Sequence, residues 1–329
     1  MPAVACTIPV ERWQPPDLVA GLARPQKKVS GVPVRPIGFM DFSMKPWRTP
    51  VRRMFRSGLS AEVPNDDDAT PAGAFALRKD EEKDRLIGDR RPDNWYEVQI
   101  GYPDLPYAPR LQRILLKKRH GLSLRSRNAK DYYYILRTLK ARLAAQVFGP
   151  RIPLSWLDDL QNAELDEIEP RERWDSSRLK CAGPSSSCPK VKRISVAMTG
   201  IMMGDTNAVK AGQALHRSML RAYHVLQEGT ELLPSMPFPQ SDLISNVLIG
   251  HWALIAQVLL CDIKLRTGAD WSRADRFDGM YNAEGFPMSE KKAQRGVVTG
   301  DLWGAWLQGI KGTLGVHSGS RYAPHLSER

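Results

Sequence analysis

Six cations crowd one short stretch of the chain, FALRKDEEKDRLIGDRRPDN: Arg78, Lys79, Lys83, Arg85, Arg90 and Arg91. Two apolar runs, AFALRK and DRLIGD, flank the polar DEEK, which is the pattern of a β-hairpin. A hairpin presents such side chains along one solvent-facing edge, where several cations can grip a triphosphate or a nucleic-acid backbone. The plainer alternative is a solvated charged turn. Other chemistries are less well supplied. Cys6, Cys181, Cys188 and Cys261 include no CxxC pair and no HxxxH partner, so zinc-site spacing is absent. The six histidines fall in no Ser-His-Asp or Cys-His arrangement. Tyr132 to Tyr134 offer rings for base stacking, yet alternation along a strand would send Tyr133 to the face opposite its neighbours.

The charge balance points the same way as the hairpin. Against 36 Asp+Glu stand 48 Lys+Arg, a net charge of +12 that favours a polyanionic partner such as nucleic acid. With 42 % hydrophobic residues, 329 residues can bury a substantial core, which excludes wholesale disorder and suits one large domain or two to three subdomains. Four cysteines are too few for a disulfide scaffold. The start, MPAVACTIPVERWQPP, holds Glu11 and no apolar run of signal length, so secretion is not expected. The basic charge fits cytoplasm and nucleus equally. Leu243 to Cys261, LISNVLIGHWALIAQVLLC, is nearly long enough to span a bilayer. Ser245, Asn246, His251 and Gln257 would be costly in lipid, so no membrane is expected and Ala253 to Leu260 reads as a buried strand.

Several elements must position these residues. Residues 1 to about 48 are proline-rich and read as an N-terminal arm. PVRRMFRSGL is spaced as a short amphipathic helix stopped by Gly58. Arg110 to His120 reads as a basic helical turn or two. DYYYILRTLKARLAAQVF reads as a strand entering a helix. Residues 150–192 read as an insertion ending in the loop CAGPSSSCP. Asn207 to Leu226 is the clearest amphipathic helix, with Ala208, Ala211, Leu215, Met219 and Ala222 at spacings of three and four. From Trp303 the runs are strand-like and punctuated by glycines.

Taken in order, these segments resemble reverse transcriptases, the RNA-directed DNA polymerases of retroelements. R-x-x-x-D-x-R-x-x-N, supplied by Arg85, Asp89, Arg91 and Asn94, looks like that family's fingers hairpin, and PVRRMFRSGL like the helix and turn leading into it. NAKDYYYIL resembles the first palm strand, with Asp131 and Tyr133 on matching places. MMGDTNAVKAGQALH resembles the glycine-led turn and helix that support the template–primer junction, with Gly204 and Gln213 nine residues apart. QVLLCDIKL sits where the family has a pair of aspartates in a tight hairpin. GFPMSEKK, with Gly285, Lys291 and Lys292, resembles the motif whose lysine donates a proton to pyrophosphate. LWGAWLQGIKGTLG resembles the strand that grips the primer. KDRLIGDRRPDN, MGDTNAV and YNAEGFPMSEKK look most like divergent reverse-transcriptase-like retroelement proteins of protists.

The resemblance implies an α+β fold: a right-hand palm of antiparallel strands backed by helices, with a fingers hairpin. It divides the chain into an arm (1–48), a fingers-like region (49–125), a palm-like region (126–315) containing the 150–192 insertion, and a tail (316–329). Nothing after residue 316 offers the acidic constellation of an appended ribonuclease H or integrase. The implied partners are an RNA or DNA template–primer and a dNTP. Arg78, Lys79 and Arg85 would contact the phosphates of that nucleotide, and Tyr133, Gly204 and Gln213 would line its site.

The pattern breaks at the metal site. Polymerases clamp two Mg²⁺ ions about 4 Å apart with carboxylates. The essential positions, the first aspartate of the first palm strand and the first of the later pair, fall on Asn128 and Cys261, leaving Asp262 as a weak metal ligand. An amide and a thiol do not replace hard anionic oxygens. Asp131, about 10 Å farther along an extended strand, would need a register shift to help. The expectation is a reverse-transcriptase-like protein with impaired catalysis, with Mg²⁺ only if active. The alternative is a noncatalytic nucleic-acid-binding or structural protein that uses Arg85, Arg91, Lys291 and the Arg110–His120 segment for backbone contacts. Either way, Asn128 and Cys261 are expected on adjacent strands with Cα atoms within about 12 Å.

Overall fold

The computed structural model describes residues 4–24, 44–63, 71–78, 84–158, 160 and 192–316. They form two compact units, Met1–Ile100 with Tyr133–Ala208, and Gly101–Tyr132 with Val209–Arg329. All but one of the named strand pairings are antiparallel, and the fold is α+β.

In the first unit, β1 (Ile8–Pro9) pairs in parallel with β6 (Leu136–Arg137), and α1 (Pro16–Ala23) follows with proline at its start. Ile8, Val10, Leu18 and Leu22 are buried, so this part of the expected arm contributes to a packed interior. Helix α2 (Met44–Ser57) buries Trp47, Val51 and Met54, one apolar face at helical spacing. Gly58, at φ +81°, ends it, and the Leu59 amide reaches back to the Met54 carbonyl at 2.8 Å. A sheet of order β2 (Ser60–Val63), β8 (Arg193–Met198), β7 (Ile152–Pro153) packs under it around Phe148, Ile152 and Val196. The expected hairpin is β3 (Gly73–Arg78) with β4 (Asp84–Asp89), followed by α3 (Arg91–Tyr96).

The segment read as a strand entering a helix folds the other way round. The short helix α4 (Tyr132–Ile135) comes first, then the two residues of β6 and a 3-10 turn at Lys140–Gln146. Tyr132, Tyr134, Ile135 and Leu136 are buried there, and tertiary burial overrides the strand preference of the aromatic run.

The second unit is built on a four-stranded sheet of order β11 (Gln294–Val297), β5 (His120–Asn128), β10 (His251–Leu259), β9 (Leu243–Leu248). Helix α5 (Ala208–Ala222) and helix α6 (Ala269–Glu284) accompany it, and β12 (Thr299–Leu302), β13 (Ala305–Gln308) and β14 (Thr313–Val316) form a meander. On one face of β10, Trp252 stacks on Phe277 of α6, centroids 4.7 Å apart. On the other, Ala253 and Ile255 join Leu122, Leu124, Leu302 and Leu307. Both faces are covered, which explains the nearly unbroken apolar run 243–261. That run is two strands and a turn, and among the described residues no helix is long and apolar enough to cross a membrane. The Arg110–His120 segment is helical only as a 3-10 turn at Ala108–Arg113.

Candidate functional site

Strand β9 ends at Leu248, Ile249 and Gly250 make the turn, and β10 begins at His251, opposite both Leu248 and Asn128. The Ala129 amide donates to the Gly250 carbonyl at 2.8 Å, so the end of β5 is sewn to the turn. The tight hairpin beside Asn128 is therefore Ile249–Gly250. Ile249 adopts φ +54°, uncommon for a branched residue, and α5 holds it there. Gln213 Oε1 accepts from the Ile249 amide at 2.6 Å, while its Nε2 donates to the carbonyls of Val247 at 2.7 Å and Asp104 at 3.2 Å. His216 Nδ1 bonds the Ile249 carbonyl, and its Nε2 meets the Tyr281 hydroxyl at 2.9 Å. Burial drives the His216 pKa down to about 4, so a neutral ring donates from Nδ1 and accepts at Nε2. Gln213, expected at the nucleotide, is instead buried and fully engaged in bracing the turn.

Cys261 and Asp262 lie elsewhere. The β5–β10 ladder runs from Asn128↔His251 to His120↔Leu259, and Cys261 follows two residues beyond that far end. At about 3.3 Å per residue, eight steps of strand put roughly 26 Å between the two expected metal-ligand positions. The expected juxtaposition is overturned. The register is set by the Ile249–Gly250 turn, which the apolar run conceals, and Cys261 and Asp262 occupy an exposed turn after β10.

The tip does not fit Mg²⁺. Its groups are an amide, a branched alkyl chain, a glycine and an imidazole, and no group of three or more His, Cys, Asp or Glu among the described residues suits a metal ion. A Cβ on Gly250 would lie 2.7 Å from Cγ of Tyr132. That ring is fixed by its hydroxyl donating to the Gly212 carbonyl at 2.8 Å and by stacking on Phe286 at 5.9 Å. An aromatic cluster occupies the space that a side chain on residue 250 would need. Asp131, at φ +53° in the turn after β5, faces a different local geometry from an extended strand.

Lys291 and Lys292 do come to the tip. The Ser289 amide donates to the Asn128 carbonyl at 2.8 Å and the Lys130 amide to the Pro287 carbonyl at 2.7 Å, which docks the turn carrying both lysines against the end of β5. The pKa of His251 falls to about 4, through burial first and then the Lys292 charge. In the same unit Arg110 bonds the Leu233 and Met236 carbonyls and Lys117 pairs with Asp242 at 2.6 Å, so two cations of the expected basic segment are engaged internally.

In the first unit, Arg78 and Arg85 are exposed on the hairpin, at successive ladder positions opposite Asp84 and Leu77. Lys79 and Lys83 lie outside the described residues. Arg90 departs from the expected solvent-facing edge: it is 1 % exposed, pairing with Asp205 at 2.6 Å and Glu97 at 3.4 Å. Arg142 joins both acids at 2.6 Å, and Asn207 donates to Glu97 at 2.8 Å. Burial alone would raise the Asp205 pKa, but Arg90 and Arg142 outweigh it and hold the carboxyl below its usual range. Asp205 is thus an internal counter-ion to two buried guanidinium groups. Gly204 has φ +107°, and a Cβ there would fall 2.0 Å from the Gly88 carbonyl oxygen, so it admits the hairpin backbone, not a ligand. Asn94 donates to the Gly204 carbonyl at 2.7 Å and accepts from the Thr206 amide at 2.9 Å. Tyr133 carries a pKa raised to about 12, by burial first and the Asp205 charge second. No sequence motif groups Arg90, Glu97, Arg142 and Asn207; their only signal is charge set inside apolar-flanked segments.

No protein-family model and no curated protein matches the chain. Solved structures do. A foamy viral protease-reverse transcriptase "dRH" in complex with double-stranded DNA matches with TM-score 0.50 and 10 % identity, over 90 % of this chain and 41 % of that one. A second structure, the foamy viral protease-reverse transcriptase in complex with double-stranded DNA, matches with TM-score 0.51 and 10 % identity, over 89 % of this chain and 48 % of that one. The chain spans less than half the length of these proteins and has a reverse-transcriptase-like fold.

Proposed function

We propose that this chain is a reverse-transcriptase-like protein of the retroelement type that holds nucleic acid without polymerising it. The observation that carries the reading is Asn128 lying beside Ile249, Gly250 and His251: the tight hairpin next to the first palm position offers no carboxylate. Two-metal phosphoryl transfer needs anionic oxygens on both ions, and this donor set supplies none. Nucleic-acid binding is supported by the net charge of +12 and by fold neighbours solved on double-stranded DNA. Arg78, Arg85, Arg91 and Lys291 are exposed and suited to backbone phosphates. Lys and Arg contacts of this kind are weakly sequence-selective and steeply salt-dependent.

The test is a template–primer assay run for binding and extension together. The expected result is salt-sensitive binding with no incorporation in Mg²⁺ or Mn²⁺. Metal-dependent extension by the unmodified protein would overturn the noncatalytic reading. Failure to bind duplex, hybrid or single strand would overturn the nucleic-acid reading itself.

A further inference from the structure

The tip of the β9–β10 hairpin, unfit for Mg²⁺, is well supplied for something else. The bridge between Ala129 and Met288 lays the end of β5 antiparallel to residues 287–289. Its two flanking bonds, Ser289 to Asn128 and Lys130 to Pro287, fix where Lys130 and the Lys291–Lys292 turn emerge. All three lysines are exposed, and none makes an ion pair among the described residues. Two acids adjoin them in sequence: Asp131 follows Lys130 in the turn after β5, and Glu290, which precedes Lys291, pairs with Arg295 at 2.6 Å. The side-chain amide of Asn128 is partly exposed and likewise makes no hydrogen bond among the described residues. His251 stands directly across the ladder from it, with Asp301 the acid that bears on its ring.

We propose that Lys130, Lys291 and Lys292, with the Asn128 amide, grip a backbone phosphate of bound nucleic acid directly, with no divalent ion between. This rests on the nucleic-acid reading above and names the contact at one place in it. A phosphodiester needs positive charge and N–H donors around its free oxygens, which ammonium and amide groups provide without carboxylates to repel it. A carboxylate-lined tip reaches phosphate only through metal; a lysine-lined tip reaches it alone.

The experiment measures binding of the full chain to a fluorescent DNA duplex and an RNA–DNA hybrid by anisotropy across a salt series. It is run in EDTA and again with Mg²⁺ at matched ionic strength. Binding should persist in EDTA and gain nothing from Mg²⁺. Lys130→Ala combined with Lys292→Ala should lower the slope of log affinity against log salt by up to about 0.9, the loss of the one phosphate contact. The control, Lys140→Ala with Lys192→Ala, removes equal charge from exposed positions of the first unit and should leave the slope closer to wild type. Wild-type binding that requires Mg²⁺, or an unchanged slope in the Lys130/Lys292 variant while wild type binds, would overturn the inference and leave the nucleic-acid reading standing. Absence of wild-type binding would overturn both.

Discussion

Gly250→Ala adds a single methyl group to the hairpin tip, and the geometry says how much that should matter. The new carbon would sit 2.7 Å from Cγ of Tyr132 and 2.9 Å from its Cβ and Cδ2. Carbon atoms settle at about 3.5–4.0 Å, so ring or turn must yield by close to 1 Å. The ring has little room to retreat, because its hydroxyl is bonded to Gly212 and its face lies on Phe286. The turn is held from the other side by Gln213 and His216. Overpacking of this sort costs roughly 1–3 kcal/mol. In a unit of this size each kcal/mol lowers Tm by about 2–4 °C. Melting followed by near-ultraviolet circular dichroism should therefore fall by roughly 2–12 °C. A double-mutant cycle isolates the cause: in a Tyr132→Ala background, itself destabilised, Gly250→Ala should cost almost nothing. Equal losses with and without the Tyr132 ring, or a melting point unchanged by Gly250→Ala, would refute the steric argument. If the argument holds, Gly250→Asp meets the same clash with a carboxylate added, so the tip cannot be returned to metal binding by restoring one acid there.

Two further outcomes follow from the buried charges. Asp205→Asn leaves Arg90 and Arg142 sharing Glu97 as their buried anion and should cost roughly 3–5 kcal/mol in urea unfolding. Arg91→Ala removes a guanidinium that is 66 % exposed despite its pair with Asp89, and should leave the urea midpoint close to wild type. Equal effects would contradict the assignment of Arg90, not Arg91, to the interior. The neutral His216 gives the pH dependence a definite sign. Its folded pKa of about 4 lies below the ordinary 6.5, so its full contribution is present above pH 6.5 and is lost as pH falls toward 4, about 3 kcal/mol in all. Melting curves across that window should show the decline in wild type and a shallower one in His216→Gln; parallel profiles would refute it.

The local elements were legible where one periodicity dominated. Gly58 stopping α2, the β3–β4 hairpin and α5 follow from apolar spacing and a positive-φ glycine. The turn at Ile249–Gly250 was hidden because β9 and β10 are covered on both faces, so neither strand alternates and the hairpin reads as one apolar run. Placing the later aspartate pair at Cys261 and Asp262 followed from that: an acid after an apolar stretch looks like a hairpin tip when the true tip has no acid. The ion cluster is illegible in the sequence for a different reason. Arg90 and Asp205 are 115 residues apart, and only the packed structure reveals that each is the other's counter-ion.

The same cluster reinterprets the two segments that most resemble polymerase motifs. IGDRRPDN and MGDTN meet in one unit: the Gly88 amide donates to the Met203 carbonyl, Gly204 yields space to Gly88, Asn94 clamps Gly204 and Thr206, and Arg90 neutralises Asp205. Residues that looked like ligand contacts build the support for the hairpin, and among the described residues Arg78 and Arg85 are the cations exposed on its strands. Preserving that support while the β9–β10 tip and the end of β5 hold Asn128, Gly250 and His251 has a physical consequence. Carboxylates crowded within a few ångströms repel one another and need a metal ion to be stable together. A tip built of an amide, a glycine against Tyr132 and a neutral imidazole carries no such repulsion and needs no ion to hold it together, which leaves the exposed lysines beside it for the phosphate contact proposed above.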